Sequence, residues 1–145
     1  MPFIRIWIHL VWATKNRQKV LTKEILHDLL HHIRDNAKSK DIRLDFINGH
    51  VDHVHALVSF KADQSISKIA QLLKGESSHW FNQQKTSDRT FEWQDDYFAI
   101  SICESEVDIV RGYIRNQETH HRVKSFAEEY AELLRQHGFN FLNEG

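Results

Sequence analysis

The chain has 145 residues, enough for one domain at the usual size of about 100–200 residues each. Hydrophobic residues make up 41% and charged residues 27%, an ordinary folded-domain balance that excludes a disordered tail, a collagen-like fibre and a membrane-embedded protein. The charges nearly cancel, 19 Lys+Arg against 20 Asp+Glu for a net −1, which argues against bulk non-specific nucleic-acid binding but leaves room for a local basic groove. Cys103 is the only cysteine, so neither an intramolecular disulfide nor a cysteine-rich zinc site is expected. The apolar-leaning run 3–13 contains Arg5 and His9 and is too short to span a bilayer. Met1-Pro2-Phe3 has neither a basic leader nor a small-residue cleavage site, so the expected location is cytoplasmic. Two oddities remain, 11 histidines and a single proline.

No repeat, low-complexity tract or linker divides the chain, and a single domain over 1–145 is expected. Residues 3–12 alternate as a strand, with Ile4, Ile6, Ile8, Leu10 and Trp12 on one face and Arg5, Trp7, His9 and Val11 on the other. A basic loop, 15–19, follows. Thr22 suits a helix N-cap, and Leu26, Leu29, Leu30, Ile33 and Ala37 recur at helical spacing. Ile42, Leu44 and Phe46 alternate as a second strand, Asn48-Gly49 reads as a hairpin turn, and 51–60 forms a third strand. Residues 63–83 predict a second helix with Ile66, Ile69, Ala70, Leu73, Trp80 and Phe81 as its stripe. The stretch 83–89 is the most loop-like segment. Residues 97–103 form a fourth strand, with Phe98, Ile100 and Ile102 on one face. Ser105 and Asp108 resemble a capping box that opens a third helix reaching His121, and a last helix over 125–137 ends at Gly138. The order β-α-β-β-α-β followed by α-α predicts an α+β, ferredoxin-like antiparallel sheet with the first two helices on one face.

The third strand carries the chemistry. Side chains alternate along a strand, so His53 and His55 point together, away from Val54, Ala56 and Val58. Two neutral imidazoles so placed can bind one divalent cation, although a His-x-His pair also occurs as two half-exposed surface histidines. On the third helix, Tyr113 and Gln117 are four apart and share a side. A tyrosine, with a pKa of about 10, is a poor nucleophile at neutral pH unless its electrophile is polarised, for instance by a metal. A glutamine oxygen is a ligand for a hard cation. The alternative is a packing tyrosine with a wet hydroxyl.

Taken together, a strand-borne His-hydrophobic-His followed by a helical Tyr-x-x-x-Gln resembles the single-tyrosine HUH transposases of the insertion-sequence 200/605 type, with their repeat-associated relatives. Further segments are similar in order: His9-Leu-Val-Trp-Ala-Thr-Lys-Asn-Arg17, Asn48-Gly-His-Val-Asp-His-Val-His-Ala-Leu-Val58, Leu73-Lys-Gly-Glu-Ser-Ser78, Phe91-Glu-Trp-Gln-Asp-Asp-Tyr-Phe-Ala-Ile-Ser101 and Tyr113-Ile-Arg-Asn-Gln117 with Glu118-Thr-His-His121. The likeness runs from about residue 5 to about 141. Asp96 departs from the family's usual glycine before Tyr97-Phe98.

The resemblance implies a metal-dependent nuclease and strand transferase acting on single-stranded DNA at hairpin-marked element ends. It implies Mg²⁺ or Mn²⁺ held by His53, His55 and Gln117, and attack by Tyr113 on phosphorus to give a 5′-phosphotyrosine and a free 3′-hydroxyl. It places the catalytic core over about 3–122, with a C-terminal helix over about 125–138. It also implies a homodimer, with Tyr113 acting in cis or in trans. Trp7, His9 and Val11 are then either an interface or covered by the protein's own last helices. Lys15, Arg17, Lys74, Arg111 and Arg115 are candidates for DNA contact, and His120, His121, Arg122 and Lys124 extend the basic end of the tyrosine helix. His50 is read as a surface histidine or a support to the pair, and His31, His32 and His79 as surface residues. The other readings are a domesticated nuclease acting on chromosomal repeat hairpins, a non-catalytic single-strand-binding ferredoxin-like module, or another HUH enzyme such as a replication initiator or relaxase. No RNP-like aromatic run supports the binding module.

Overall fold

The computed structural model describes residues 2–84, 90–122 and 124–139. A four-stranded antiparallel sheet has the order β2-β3-β1-β4, built from β1 (Ile6–Ala13), β2 (Arg43–His50), β3 (His53–Phe60) and β4 (Phe98–Ile102). Helix α1 (Lys23–Ser39) joins β1 to β2, and α2 (Ile66–Gln83) joins β3 to β4. After β4 come α3 (Val107–Arg115), α4 (Gln117–His121) and α5 (Phe126–Gln136). The expected α+β architecture is present.

Alternation puts Ile8, Leu10, Trp12, Val54, Ala56 and Val58 on one face, where they bury against Leu29 and Ile33 of α1 and Ile69 and Leu73 of α2. Thr22 caps α1 by accepting from the Ile25 N–H. The second helix starts three residues later than its periodicity suggests, because Ser65 is extended and its hydroxyl accepts from the Lys68 N–H. Ile66 is consequently exposed. His32 also departs from expectation: it is part-buried, stacked on Trp80 and 2.6 Å from Glu76 Oε2.

Asn48-Gly49 is not the hairpin turn. Both residues lie inside β2, paired with His55 and Val54, and the turn is Val51-Asp52. Gly49 serves a close approach instead, since a Cβ there would stand 2.5 Å from the His53 carbonyl oxygen. Asn48 donates to the carbonyls of Ile114 (3.0 Å) and Arg115 (3.1 Å), which satisfies the end of α3.

The predicted third helix is two helices. Ser105 lies in a short 3-10 turn and does not cap, Asp108 pairs with Arg111, and the chain breaks at Asn116 (φ −93°, ψ 28°). Ser125 caps α5 by accepting from the Glu128 N–H. Gly138 at φ +76° ends α5 in a Schellman turn, with Phe139 N–H bonded to Leu134 O and Gly138 N–H to Arg135 O.

These last helices cover the second sheet face. Phe126, Leu133 and Leu134 of α5 pack on Val11, Ala13 and Phe98, while Val107 and Ile114 of α3 pack on Trp7 and Leu57. Trp7, His9 and Val11 are therefore buried by the chain itself rather than offered as an interface.

Candidate active site

His53 and His55 leave β3 on the covered face, both fully buried, with ring centroids 5.1 Å apart. Each is oriented through Nδ1. His53 Nδ1 is 2.8 Å from Asp52 Oδ1, and His55 Nδ1 is 2.9 Å from His9 Nε2. Phe126 stacks on His53 at 3.9 Å. Both Nε2 atoms therefore turn toward the underside of α3–α5.

The helix break carries Gln117 inward to full burial. Its Nε2 donates to the Tyr113 carbonyl at 3.3 Å, which leaves Oε1 facing His53 Nε2 at 3.1 Å. The Tyr113 ring stands edge-on to His55 (5.6 Å) and His9 (6.2 Å). His53, His55, Gln117 and Tyr113 thus meet in one chain.

Glu129 joins them, although its local sequence context did not single it out. This α5 side chain is buried, with Oε1 lying 3.1 Å from His55 Nε2, 3.4 Å from His53 Nε2 and 3.2 Å from His121 Nε2. Its Oε2 accepts from the Tyr113 hydroxyl. One signal existed: Phe126, Glu129, Tyr130, Leu133 and Leu134 share helical spacing, so an acid sits within an apolar stripe. His121, read earlier as part of a basic end, is instead turned inward, its Nδ1 2.9 Å from the Lys124 carbonyl and its Nε2 3.1 Å from Gln117 Oε1. His50 stacks on His121 at 5.0 Å and so backs the cluster.

Burial sets the charge states. It drives His9 down to about 3 and His55 down to about 4, so both rings are neutral at neutral pH. For His53 burial acts in the same sense, but the hydrogen bonds to Asp52 and Glu129 outweigh it and raise its pKa. Burial would raise Glu129, yet bonds from His121, His53 and His55 hold it well below the usual carboxylate range. Burial, and then the Glu129 carboxylate, push Tyr113 above the ordinary phenol range, so its hydroxyl stays protonated in this arrangement.

The donor set suits a divalent cation. The ligand atoms of His53, His55 and Glu129 all lie within 4.8 Å of one another. Ligands at right angles around a Mg²⁺-like ion, with bonds of about 2.1 Å, stand about 3.0 Å apart. The separations of 3.1 Å for His53–Gln117 and 3.1 Å for His55–Glu129 are close to that value.

The basic candidates divide. Lys74 donates to the carbonyls of Gln94, Asp95 and Asp96, tying α2 to the approach to β4, with its pKa lowered chiefly by burial. Ser77, from the same motif, accepts from Trp93 Nε1 at 2.9 Å. Arg111 is held by Asp45 (2.7 and 2.8 Å) and Asp108. Lys15 pairs with Glu92 at 2.7 Å, and Arg115 lies over Phe46 at 5.5 Å. Arg17 is exposed, over Phe126 (5.4 Å) and Tyr130 (5.7 Å). It joins Lys19, Arg122 and Lys124 around a cleft of about 430 Å³ that reaches His50 and His121. The His120 side chain, residues 85–89 of the expected loop and residues 140–145 lie outside the described residues. Among the described residues no helix is long and apolar enough to cross a membrane.

Comparison with known proteins identifies the family and the fold. The ISDra2 transposase TnpA of Deinococcus radiodurans is 26% identical over 114 residues, covering 75% of this chain and 81% of that protein. A crystal structure from Deinococcus radiodurans R1 assigned as a transposase superposes with a TM-score of 0.65 at 26% identity, over 80% of this chain and 93% of that one. A REP-associated tyrosine transposase bound to a REP hairpin shares the fold, with a TM-score of 0.63 at 16% identity over 83% of this chain and 72% of that one. The sequence profile of IS200-like transposases matches residues 3–117, a span holding both strand histidines, Tyr113 and Gln117, and the chain belongs to that family.

Proposed function

We propose that this protein is a metal-dependent single-strand DNA endonuclease and strand transferase with Tyr113 as nucleophile. One observation carries the reading: the Tyr113 hydroxyl, His53, His55 and Gln117 converge in a single buried site of one chain. His53, His55 and Gln117 would hold Mg²⁺ or Mn²⁺, which when bound polarises the scissile phosphate. The protein's own groups do the rest. Edge contacts with His9 and His55 fix the Tyr113 ring, and Glu129 Oε2 is placed to receive the phenolic proton as the tyrosine oxygen bonds to phosphorus. The bond from phosphorus to the 3′-oxygen breaks, and that oxygen leaves as a 3′-hydroxyl once protonated. Reverse attack by another 3′-hydroxyl rejoins the strand. The phosphotyrosine conserves the bond energy, so no nucleotide triphosphate is required. The exposed Arg17 and the cleft it shares with Lys19, Arg122 and Lys124 suit a DNA backbone.

The substrate we propose is hairpin-marked single-stranded DNA, handled by a homodimer. A structural neighbour bound to a REP hairpin favours a second form of this reading, action on chromosomal repeat hairpins by the same chemistry. The test is a covalent-adduct assay with labelled strands from the flanks of the gene, with Mn²⁺ or chelator, on a denaturing gel. A metal-dependent, detergent-stable band is expected, lost in Tyr113→Phe while hairpin binding persists. His55→Ala is expected to abolish the band, and Gln117→Ala to weaken it less. A normal band from Tyr113→Phe rules out this nucleophile. A metal-independent shift with no band supports the binding module.

A further inference from the structure

The hydrogen-bonding logic around Glu129 points beyond a His-x-His pair with one glutamine. His53 Nδ1 faces a carboxylate oxygen of Asp52 (2.8 Å), and His121 Nδ1 faces the Lys124 carbonyl (2.9 Å). Those oxygens only accept, so each Nδ1 is the donor atom and Nε2 is the ring atom left to face the site. Each Nε2 then points at oxygen atoms of Gln117 and Glu129. His121 Nε2 is 3.1 Å from Gln117 Oε1 and 3.2 Å from Glu129 Oε1. His53 Nε2 is 3.1 Å from Gln117 Oε1 and 3.4 Å from Glu129 Oε1. His55 Nε2 adds a contact to Glu129 Oε1 at 3.1 Å.

Five atoms of metal-ligating type, three ring nitrogens and two oxygens, therefore converge in a buried space. The rings themselves crowd together, with centroids 4.6 Å (His53–His121) and 5.1 Å (His53–His55) apart. One divalent cation among them would take all five as ligands. A set of three imidazoles, an amide oxygen and a carboxylate favours a six-coordinate hard or borderline ion such as Mn²⁺ over tetrahedral zinc.

We infer that His121 and Glu129, from the C-terminal part of the chain, are ligands of this site together with His53, His55 and Gln117. Glu129 thereby links the cation to the nucleophile, one oxygen turned to the histidines and the other to the Tyr113 hydroxyl. The inference rests on the proposed function only in taking this to be a divalent-cation site.

Calorimetric titration of metal-free, full-length protein with Mn²⁺ tests it. Glu129→Gln and His121→Asn are each expected to lower the affinity at least about tenfold. Glu128→Gln, which removes an exposed charge from the same helix, should leave it unchanged. An unchanged affinity in Glu129→Gln overturns the inference. So does a raised one, since Glu129 would then be blocking the site rather than serving it. Pulsed electron resonance on the Mn²⁺-loaded wild type needs no variant: three histidine nitrogens are expected, and two would exclude His121. Weak Mn²⁺ binding by wild type also overturns it. If these outcomes fail while His53 and His55 variants lose Mn²⁺ and the Tyr113 adduct forms, only this inference falls. If Mn²⁺ binds as expected and no adduct forms, only the proposed function falls.

Discussion

His55 is held from both sides, by His9 at Nδ1 and Glu129 at Nε2. His9 touches no candidate metal ligand except through that bond and its ring stacking at 5.2 Å, so its contribution is orientation. Partners of this kind typically change metal affinity or activity by about 10–100-fold when lost. His9→Ala is expected to weaken Mn²⁺ binding by that order, measured by titration, with His9→Gln recovering part of the loss by keeping a polar atom toward His55. Equal affinities in all three proteins would show that packing alone sets the His55 ring.

At the scale of elements, the β2–β3 hairpin and the α3–α4 break cooperate. Asn48 and Gly49 look like turn residues because that dipeptide suits φ > 0 in tight hairpins. Here the ladder runs past them to His50, and the pair does two other jobs: Asn48 satisfies the last carbonyls of α3, and Gly49 lets the His53 backbone pass close by. Gly49→Ala is expected to destabilise the fold by about 1–3 kcal/mol, the usual cost of forcing atoms into a filled space. Thermal melting should record the loss. Because the displaced oxygen belongs to His53, the Mn²⁺ affinity should fall with it. A variant as stable as wild type would mean the ladder gives way without cost. Asn116, at φ −93° and ψ 28°, marks the break between α3 and α4, just before Gln117.

At the scale of the whole molecule, α5 decides how the site is assembled. Phe126 covers His53, Leu133 and Leu134 seal the sheet, and Glu129 enters between them, all from the same chain as Tyr113. We propose that this tyrosine acts in cis. Mixing inactive Tyr113→Phe protein with inactive His55→Ala protein is expected to restore no adduct. An active mixture would mean that partners exchange their C-terminal helices. The same covering explains why Trp7, His9 and Val11 could be read as an interface. A sheet face that is apolar in sequence needs cover, and only the path of the chain says whose helices supply it.

Much of the fold and half of the site were legible in local pattern. Period-two alternation placed four strands and aimed His53 and His55 together, and helical spacing with Thr22 placed α1. Such features depend on neighbours a few residues apart, which is the range over which backbone geometry repeats. The capping box at Ser105 failed because a 3-10 turn and the Arg111–Asp108 pair took its place. Glu129, His121 and His9 joined the site through contacts with residues far along the chain, and no local period encodes these. The sequence by itself determined which side chains share a face and which residue types carry the chemistry. The tertiary structure alone decided that α5 folds back over the sheet, because packing Phe126, Leu133 and Leu134 against Val11 and Phe98 is what carries the Glu129 carboxylate to the histidines.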